Sequence, residues 1–342
     1  MAENTDFKEK DATIKVNLKP LGRSGTLVTG EQIDDEYLNE LKGVDGQKVY
    51  EKMLRSDSQI RKLFHAVNNP LRSAKWDVEP ASNDAKDLEV AALIRQILFN
   101  DMPDGWKAKL DEILTFPWHG HAIFEVIHEN KTHKTFGPYT GLKNLAFRDQ
   151  RTITKWQFKD GILEQLYQEQ AGDLEVNTWL PKDILLMFFN EKKGDDVGFP
   201  FLRMVYGNYK RKLLYKQLQA IGIERAALPV PHLVVPKDLP VDSDEWALAE
   251  EQLRAFTQAE SSYFMMPFGF DLKFNQTSTF DPSKTQVAIK AENEEIVGSL
   301  VAMFLEIGIG GNSGNQAGTE VSAAFFRDGI EYLADKILEV FN

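Results

Sequence analysis

The spacing of apolar residues changes repeatedly along this chain, and each change marks an element boundary. Residues 1–44 show no sustained period; they are polar, charged and punctuated by glycine. The expectation there is an arm with little fixed structure, either a tail or a strap onto a neighbouring subunit. Val49, Met53, Ile60, Leu63, Phe64 and Val67 then follow a helical rhythm. A break near Ser56 leaves Asp57 to cap a second helix, which Asn68-Asn69-Pro70 is expected to end. Ser73–Val78 reads as a short strand stopped at Pro80. Two further helices are predicted over Asn83–Phe99, with Asp84 and Asp87 near its start, and over Trp106–Leu114.

From His121 the period becomes two. His121–Glu129, Leu145–Ala146, Trp156–Phe158 and Ile162–Tyr167 read as strands, with turns at Asp160-Gly161 and Gly172-Asp173. Ile184–Phe189 is an uninterrupted apolar run, consistent with a buried strand. Residues 45–200 are thus expected to form an α+β domain.

A 3.6-residue period returns over residues 201–226, with Leu202, Val205, Tyr209, Leu213, Leu218 and Ile221 on one side. Arg203, Lys210, Arg211, Lys212, Lys216 and Arg225 lie between them, opposed by Glu224. Leu228-Pro229-Val230-Pro231-His232 cannot continue the helix, because each proline lacks an N–H and restricts its predecessor. His232–Val235, Tyr263–Met266 and Phe270–Phe274 are strand candidates around an acidic helix, Ser243–Ala259. Residues 227–277 read as a small α/β insertion. A second long helix is predicted over Pro282–Leu305, within 278–307. An uncharged loop with five glycines, Gly308–Gly318, joins it to a last helix over 319–342.

Composition narrows the function classes. The chain has 342 residues, 42% of them apolar, which is enough for a core. Its formal charge of −12 argues against a general nucleic-acid binder, though not against a protein that surrounds DNA without gripping it. There is no cysteine, hence no disulfide or thiolate metal site. The first twenty residues lack the apolar core of a signal peptide, and no run approaches the roughly 18 apolar residues of a membrane span. A soluble chain made inside a cell is expected.

Candidate chemistry is sparse. The glycine-rich loop precedes a helix, but Ala317-Gly318-Thr319 supplies no P-loop lysine, and a helix rather than a strand leads into it. His119, His121, His128 and His133 cluster in sequence. On one strand, His119 and His121 would share a face. Their expected role is as surface or internally satisfied side chains rather than metal ligands. Asp195-Asp196 reads as a solvated turn, with carboxylate-based nuclease chemistry as the alternative. No nucleophile–base arrangement, catalytic residue, metal site or cofactor is assigned. The basic helix has three readings: a DNA-reading helix, an ordinary solvated face, or a face that meets acidic elements of another copy. The acidic runs at 242–251 and 292–295 are the partners available for the third.

Several segments resemble portal proteins of tailed bacteriophages, in particular the Mu-like family. They are MLRSDSQIRKLFHAVNNPLRSAKWDVEP (Met53–Pro80), FPWHGHAIFEVIHE (Phe116–Glu129), FRDQRTITKWQFKDGIL (Phe147–Leu163) and GFPFLRMVYGNYKRKLLYKQLQAIGIERAALPVP (Gly198–Pro231). Their order resembles that layout over about residues 45–340. The resemblance implies a wing over 45–200, a first stem helix over 201–226, a clip over 227–277, a second stem helix over 278–307, a tunnel loop over 308–318 and a helix toward the crown over 319–342. Family members usually carry more chain there, so the crown is expected to be truncated or absent. It further implies a ring of about twelve copies at a capsid vertex of the virion, assembled in the bacterial cytoplasm. That ring would conduct double-stranded DNA and contact the major capsid protein, the terminase large subunit and a head–tail adaptor. ATP hydrolysis would belong to the terminase.

By the same resemblance, Gly308, Gly310, Gly311, Asn312, Ser313, Gly314, Asn315 and Gln316 would face DNA. Arg203, Lys210, Arg211, Lys212, Lys216, Glu224 and Arg225 would lie at the subunit interface. Pro229, Pro231, Asp244, Glu245, Trp246, Glu250 and Glu251 would mark the clip that meets motor or adaptor. The rival reading is a non-portal structural or adaptor protein of a phage tail or baseplate.

Overall fold

The computed structural model describes the chain from residue 28 onward, except 30–31, 34–35, 136, 160–161, 171–175, 192–196, 228–229, 237, 258–270, 276–280 and 306–315. It divides into two compact units, Met1–Val205 with Ser299–Asn342, and Tyr206–Gly298.

The first unit opens with a two-residue ladder, β1 (Val28–Thr29) against β2 (Gln32–Ile33). Four helices follow: α1 (Gly43–Ser56), α2 (Ser58–Ser73), α3 (Ala85–Phe99) and α4 (Gly105–Ile113). A single turn, α5 (Phe116–His119), leads into the sheets. Asp57 caps α2 as its position predicts: its carboxylate accepts from the N–H of Gln59 (2.9 Å) and of Ile60 (3.2 Å). Such a cap contributes about 1 kcal/mol.

Three expectations fail here. The helix does not stop at Pro70 but runs to Ser73. Proline removes one hydrogen bond in the last turn, and packing outweighs it: Leu71 is buried, and Asn68 is fully buried with its amide on Leu114 O and its carbonyl accepting from Trp118 Nε1. Nor is Ser73–Val78 a strand. Its polar groups go elsewhere: Arg95 donates to Val78 O and Asp77, and Trp76 Nε1 donates to Leu71 O. From Glu36 onward the expected arm is also built into this unit, through an ion pair with Arg203 and the buried Leu41.

The sheets are more extended than the sequence pattern indicates. β3 (His121–His133) pairs antiparallel with both β4 (Gly137–Arg148) and β8 (Leu185–Phe189). β5 (Ile153–Lys159), β6 (Ile162–Gln170) and β7 (Val176–Pro181) form a second antiparallel sheet. β7 is an element the sequence reading missed, although Val176, Thr178 and Leu180 alternate.

β3 is central because both its faces are covered. Ile123 packs with Ile153, Trp156, Leu163, Leu166 and Leu180 of the second sheet. On the opposite face, Phe124 meets Phe188 (5.9 Å between centroids), and Phe188 meets Phe116 (6.3 Å). Burial on two faces explains the continuous apolar run of β8.

The last helix, α9 (Gln316–Phe341), begins three residues earlier than predicted. Gly318 therefore lies inside it and not in the loop. Ile330, Leu333 and Ile337 are buried, and Phe341 reaches Trp106 (5.5 Å) and Phe188 (5.7 Å). The 3.6-residue stripe closes the aromatic core.

In the second unit, α6 (Phe201–Ala227) and α8 (Pro282–Leu305) supply the long helical segments. Between them lie β9 (Val230–Val234), α7 (Asp244–Thr257) and β10 (Asp271–Asn275), with β9 antiparallel to β10. β9 begins two residues before the expected His232. Ser243 Oγ accepts from Trp246 N (3.2 Å), the predicted cap of α7. The Tyr263–Met266 strand candidate lies outside the described residues.

Where the chain leaves the sheet for α6, Gly120 (φ +89°) and Gly198 (φ +87°) cross backbone to backbone. A Cβ on Gly198 would stand 2.1 Å from Gly120 O. Gly198→Ala is therefore expected to destabilise the protein by about 3 kcal/mol or more. Gly137→Ala, at φ +72° but in open space, should cost about 1 kcal/mol. Urea unfolding compares them, and equal losses would show that the close crossing is not what demands glycine at position 198.

Candidate assembly surface and channel segments

The basic helix uses part of its charge within its own chain. In its first turns, Arg203 donates to both carboxylate oxygens of Glu36, one at 2.9 Å, and stacks over Tyr37 (4.9 Å). The Glu36 carboxylate raises the Arg203 pKa further. One turn into the second unit, Arg211 grips Glu292 of α8 through Nε (2.8 Å) and a terminal nitrogen (3.1 Å), while Asn208 Nδ2 donates to the same carboxylate (3.0 Å). Glu292 is buried, and hydrogen bonding to Arg211 lowers its pKa against the opposing cost of burial. Lys210 lies over the Tyr206 ring (5.4 Å), and Lys212 is buried. Lys216 and Glu224 are exposed; the side chain of Arg225 lies outside the described residues.

The apolar side of α6 is divided. Leu202, Val205, Tyr206 and Tyr209 are buried, whereas Leu214 (51% exposed), Leu218 (47%) and Ile221 (46%) face solvent in the single chain. The last three follow one another at four and three residues, so they form a stripe. On α8, Val287 and Glu295 are also exposed.

In the small α/β insertion, Pro231 lies in β9 opposite Phe274, and Pro229 lies outside the described residues. Asp244, Glu245, Glu250 and Glu251 are exposed on α7, with Glu250 paired to Arg254 (2.7 Å) and Trp246 half-buried. Of the glycine-rich segment, Gly308, Gly310, Gly311, Asn312, Ser313, Gly314 and Asn315 lie outside the described residues, and Gln316 opens α9. The turns at Asp160-Gly161 and Gly172-Asp173 and the Asp195-Asp196 pair lie outside them as well.

A model of the family described as the portal protein of Mu bacteriophage matches residues 47–342. The chain belongs to this portal protein family. Its fold is similar to that of three solved chains. One, from the virion of a native gene transfer agent particle, has a TM-score of 0.57 and 11% identity over 86% of this chain and 79% of the other. Another, from the neck of an empty gene transfer agent particle computed with C6 symmetry, gives 0.55 and 12% over 85% and 79%. A third, from the neck of a native particle computed with C12 symmetry, gives 0.51 and 12% over 81% and 75%.

The portal chain's His119 and His121 would share a face only if both lay on one strand, and they do not. His119 ends α5 and His121 begins β3, with Gly120 turning the chain between them. His119 Nδ1 meets Gln47 (2.9 Å), and its Nε2 stands 3.5 Å from Glu51. His121 Nδ1 faces Val197 O (3.2 Å), so this nitrogen carries the proton. Its ring lies edge-on to Trp156 (5.3 Å). His128 is exposed, and His133 Nδ1 accepts from Thr135 N (3.2 Å). Among the described residues, no three or more His, Asp or Glu side chains are placed to hold a metal ion.

Burial, with the nearby His119, pushes the His121 pKa from 6.5 down to about 3. Hydrogen bonding to His119 is the largest influence holding Glu51 at about 2. Both shifts act in one direction. An unfolded chain takes up the His121 proton near pH 6.5 while the folded chain resists it to about pH 3, so stability falls as pH drops through that window. The Glu51 contribution, present above about pH 4.5, is lost as pH falls toward 2. His121→Phe should flatten the stability decline between pH 6.5 and pH 4.5 in urea titrations; a slope parallel to the parent's would refute the assignment. Glu292→Gln, which keeps the shape but removes the charge under Arg211, should cost about 1–2 kcal/mol at pH 7. Urea unfolding measures this, and an unchanged midpoint would count against the ion pair.

Proposed function

We propose that this portal protein forms a closed ring of about twelve copies at one vertex of a capsid and that double-stranded DNA passes through it during packaging and ejection. The family match over residues 47–342 carries the reading. The stated C12 symmetry of a similarly folded chain's particle neck supports the copy number. The protein acts as a structural component of the virion and not as an enzyme.

On this reading residues 45–200 are the wing, 201–226 and 278–307 the stem helices, and 227–277 the clip. The glycine-rich segment 308–315, shortened from the expected 308–318 because α9 opens at Gln316, is the tunnel loop that faces DNA, and 319–342 leads toward the crown. The subunit interface uses the exposed stripe Leu214, Leu218 and Ile221, flanked by Lys210 and Lys216 on α6 and by Glu295 on α8. A ring needs two unlike faces that meet repeatedly, and a helix pair that is basic on one member and acidic on the other supplies them. Arg203, Lys212, Glu224 and Arg225 lie on the same helix; Arg203 and Arg211 are already engaged by Glu36 and Glu292, so they hold the subunit in shape for that contact.

Pro229, Pro231, Asp244, Glu245, Trp246, Glu250 and Glu251 mark the clip surface, which docks the terminase large subunit and then a head–tail adaptor; the wing meets the major capsid protein. The net charge of −12 suits a channel lining that repels phosphate, since fixed cationic contacts would retard sliding DNA.

Electron-microscopic class averages of the purified protein should show closed rings of about twelve copies with a central hole of duplex width. An open chain or a solid particle would overturn the proposal. Lys216→Glu combined with Leu218→Asp places like charge and an unpaired carboxylate in the interface. It should reduce the ring fraction about tenfold or more while leaving the far-ultraviolet circular dichroism spectrum intact. Undiminished rings would move the interface off this stripe.

A further inference from the structure

Helix α2 is basic in a chain whose net charge is −12. Over Ser58–Ser73 it carries Arg61, Lys62, His65 and Arg72 and not one Asp or Glu. Its cap, Asp57, is buried. The apolar residues of the helix explain why these charges gather. Ile60, Phe64, Val67 and Leu71 are buried, so Ser58, Arg61, Lys62, His65, Asn69 and Arg72 fall together on the opposite face. Positions 61 and 72 stand roughly 16 Å apart along the helix axis.

Helix α4 extends that face. Arg72 pairs with Asp111, which ties the two helices together. Lys107, one turn before Asp111, lines an open groove with His65, Asn69, Pro70, Arg72 and Ser73.

Two of the cations are already held in place. The Arg61 guanidinium lies 4.8 Å over the Phe64 ring, and that of Arg72 lies 5.8 Å over the same ring. A guanidinium fixed beforehand loses less conformational freedom when it meets an anion. Asp111 takes up part of the Arg72 charge. Among the described residues, Arg61, Lys62 and Lys107 form no ion pair, so their charge is available to a ligand.

The sign of the charge is unbroken over this face, which selects the kind of ligand. Protein surfaces usually mix both signs. A nucleic-acid strand is anionic at every step, with one charge for about 3.4 Å of duplex axis per strand. Guanidinium, ammonium and amide groups are also those that contact phosphate oxygens without reading sequence.

We propose that the face of α2 bearing Arg61, Lys62 and His65, continued by Lys107 of α4, is a sequence-independent binding site for the phosphate backbone of duplex DNA. The site is separate from the glycine-rich segment, and it rests on the portal reading for the presence of DNA. Cationic contacts retard sliding, so this face suits DNA that is held and not DNA in transit through a channel.

Fluorescence anisotropy of a short labelled duplex of mixed sequence, titrated with the full chain over a series of salt concentrations, tests the site. Arg61→Gln with Lys62→Gln and Lys107→Gln should weaken binding about tenfold or more at low salt and lower the slope of log affinity against log salt by about two to three. Lys62→Gln with Lys107→Gln, which leaves Arg61 on Phe64, should lower that slope by about two. A control with the same charge change, Lys134→Gln with Lys143→Gln and Lys182→Gln, alters exposed lysines outside α2 and α4 and should weaken binding at most about threefold. Unchanged binding in the α2–α4 variants, equal losses in the control, or no duplex binding by the parent at low salt would each overturn the site. Tighter binding of poly-glutamate than of the duplex at matched charge would also overturn it and assign the face to an acidic protein. Electron-microscopic class averages of the same samples keep the two readings apart. A parent that forms rings without binding the duplex sinks this site alone, and a parent that binds the duplex without forming rings sinks the ring alone.

Discussion

The backbone crossing of Gly120 and Gly198 is the contact on which the first unit depends. Asn190 N donates to Gly120 O (2.8 Å), Phe199 N donates to Asn190 O (2.8 Å), and Asn190 Nδ2 returns to Phe199 O (2.6 Å). These bonds join the start of β3, the end of β8 and the approach to α6. No side chain fits between them, and both glycines take a left-handed φ that other residues adopt at a cost. The crossing therefore fixes where the long basic helix leaves the sheet, and with it which residues of α6 begin inside the core.

From that point burial and charge divide the helix into two stretches with different work. The early turns are core: Leu202 and Val205 are fully buried, and Arg203 is committed to Glu36. The later turns expose an apolar stripe that the single chain does not cover. Between them Arg211 and Asn208 converge on a buried carboxylate, which is stabilising because all three groups are satisfied together. A buried acid without those donors would be costly. The helix that looks uniformly basic in sequence is thus partly a structural fastener and partly a free surface.

Much of this fold was legible from periodicity and capping. The α8 boundaries, the break at Ser56–Asp57, the Ser243 cap and the end of α6 before Pro229 all follow from local chemistry. The misses share a cause. Pro70 stays helical because Leu71 and Asn68 are anchored by α4, the residues after it and α5, and Ser73–Val78 is no strand because Arg95 takes its polar groups. β3 and β4 run past their apolar stretches because hairpin pairing extends into polar sequence, where hydrogen bonds and not burial define the strand. The partners of the candidate interface residues were equally hidden. Arg211 and Glu292 are far apart in sequence, and the acidic run at 292–295 was visible only as a partner for some basic face, not as this chain's own.

The sequence by itself determined the order of elements, the two long helices with a small α/β insertion between them, and the resemblance to portal proteins. Periodicity, prolines and caps are local signals, and an ordered set of short motifs survives without coordinates. Only the tertiary structure decided which charges are spent inside the subunit, which apolar residues remain uncovered, and why Gly120 and Gly198 must be glycine. Those are questions of what stands within a few ångströms of an atom, and residues distant in sequence supply the answer.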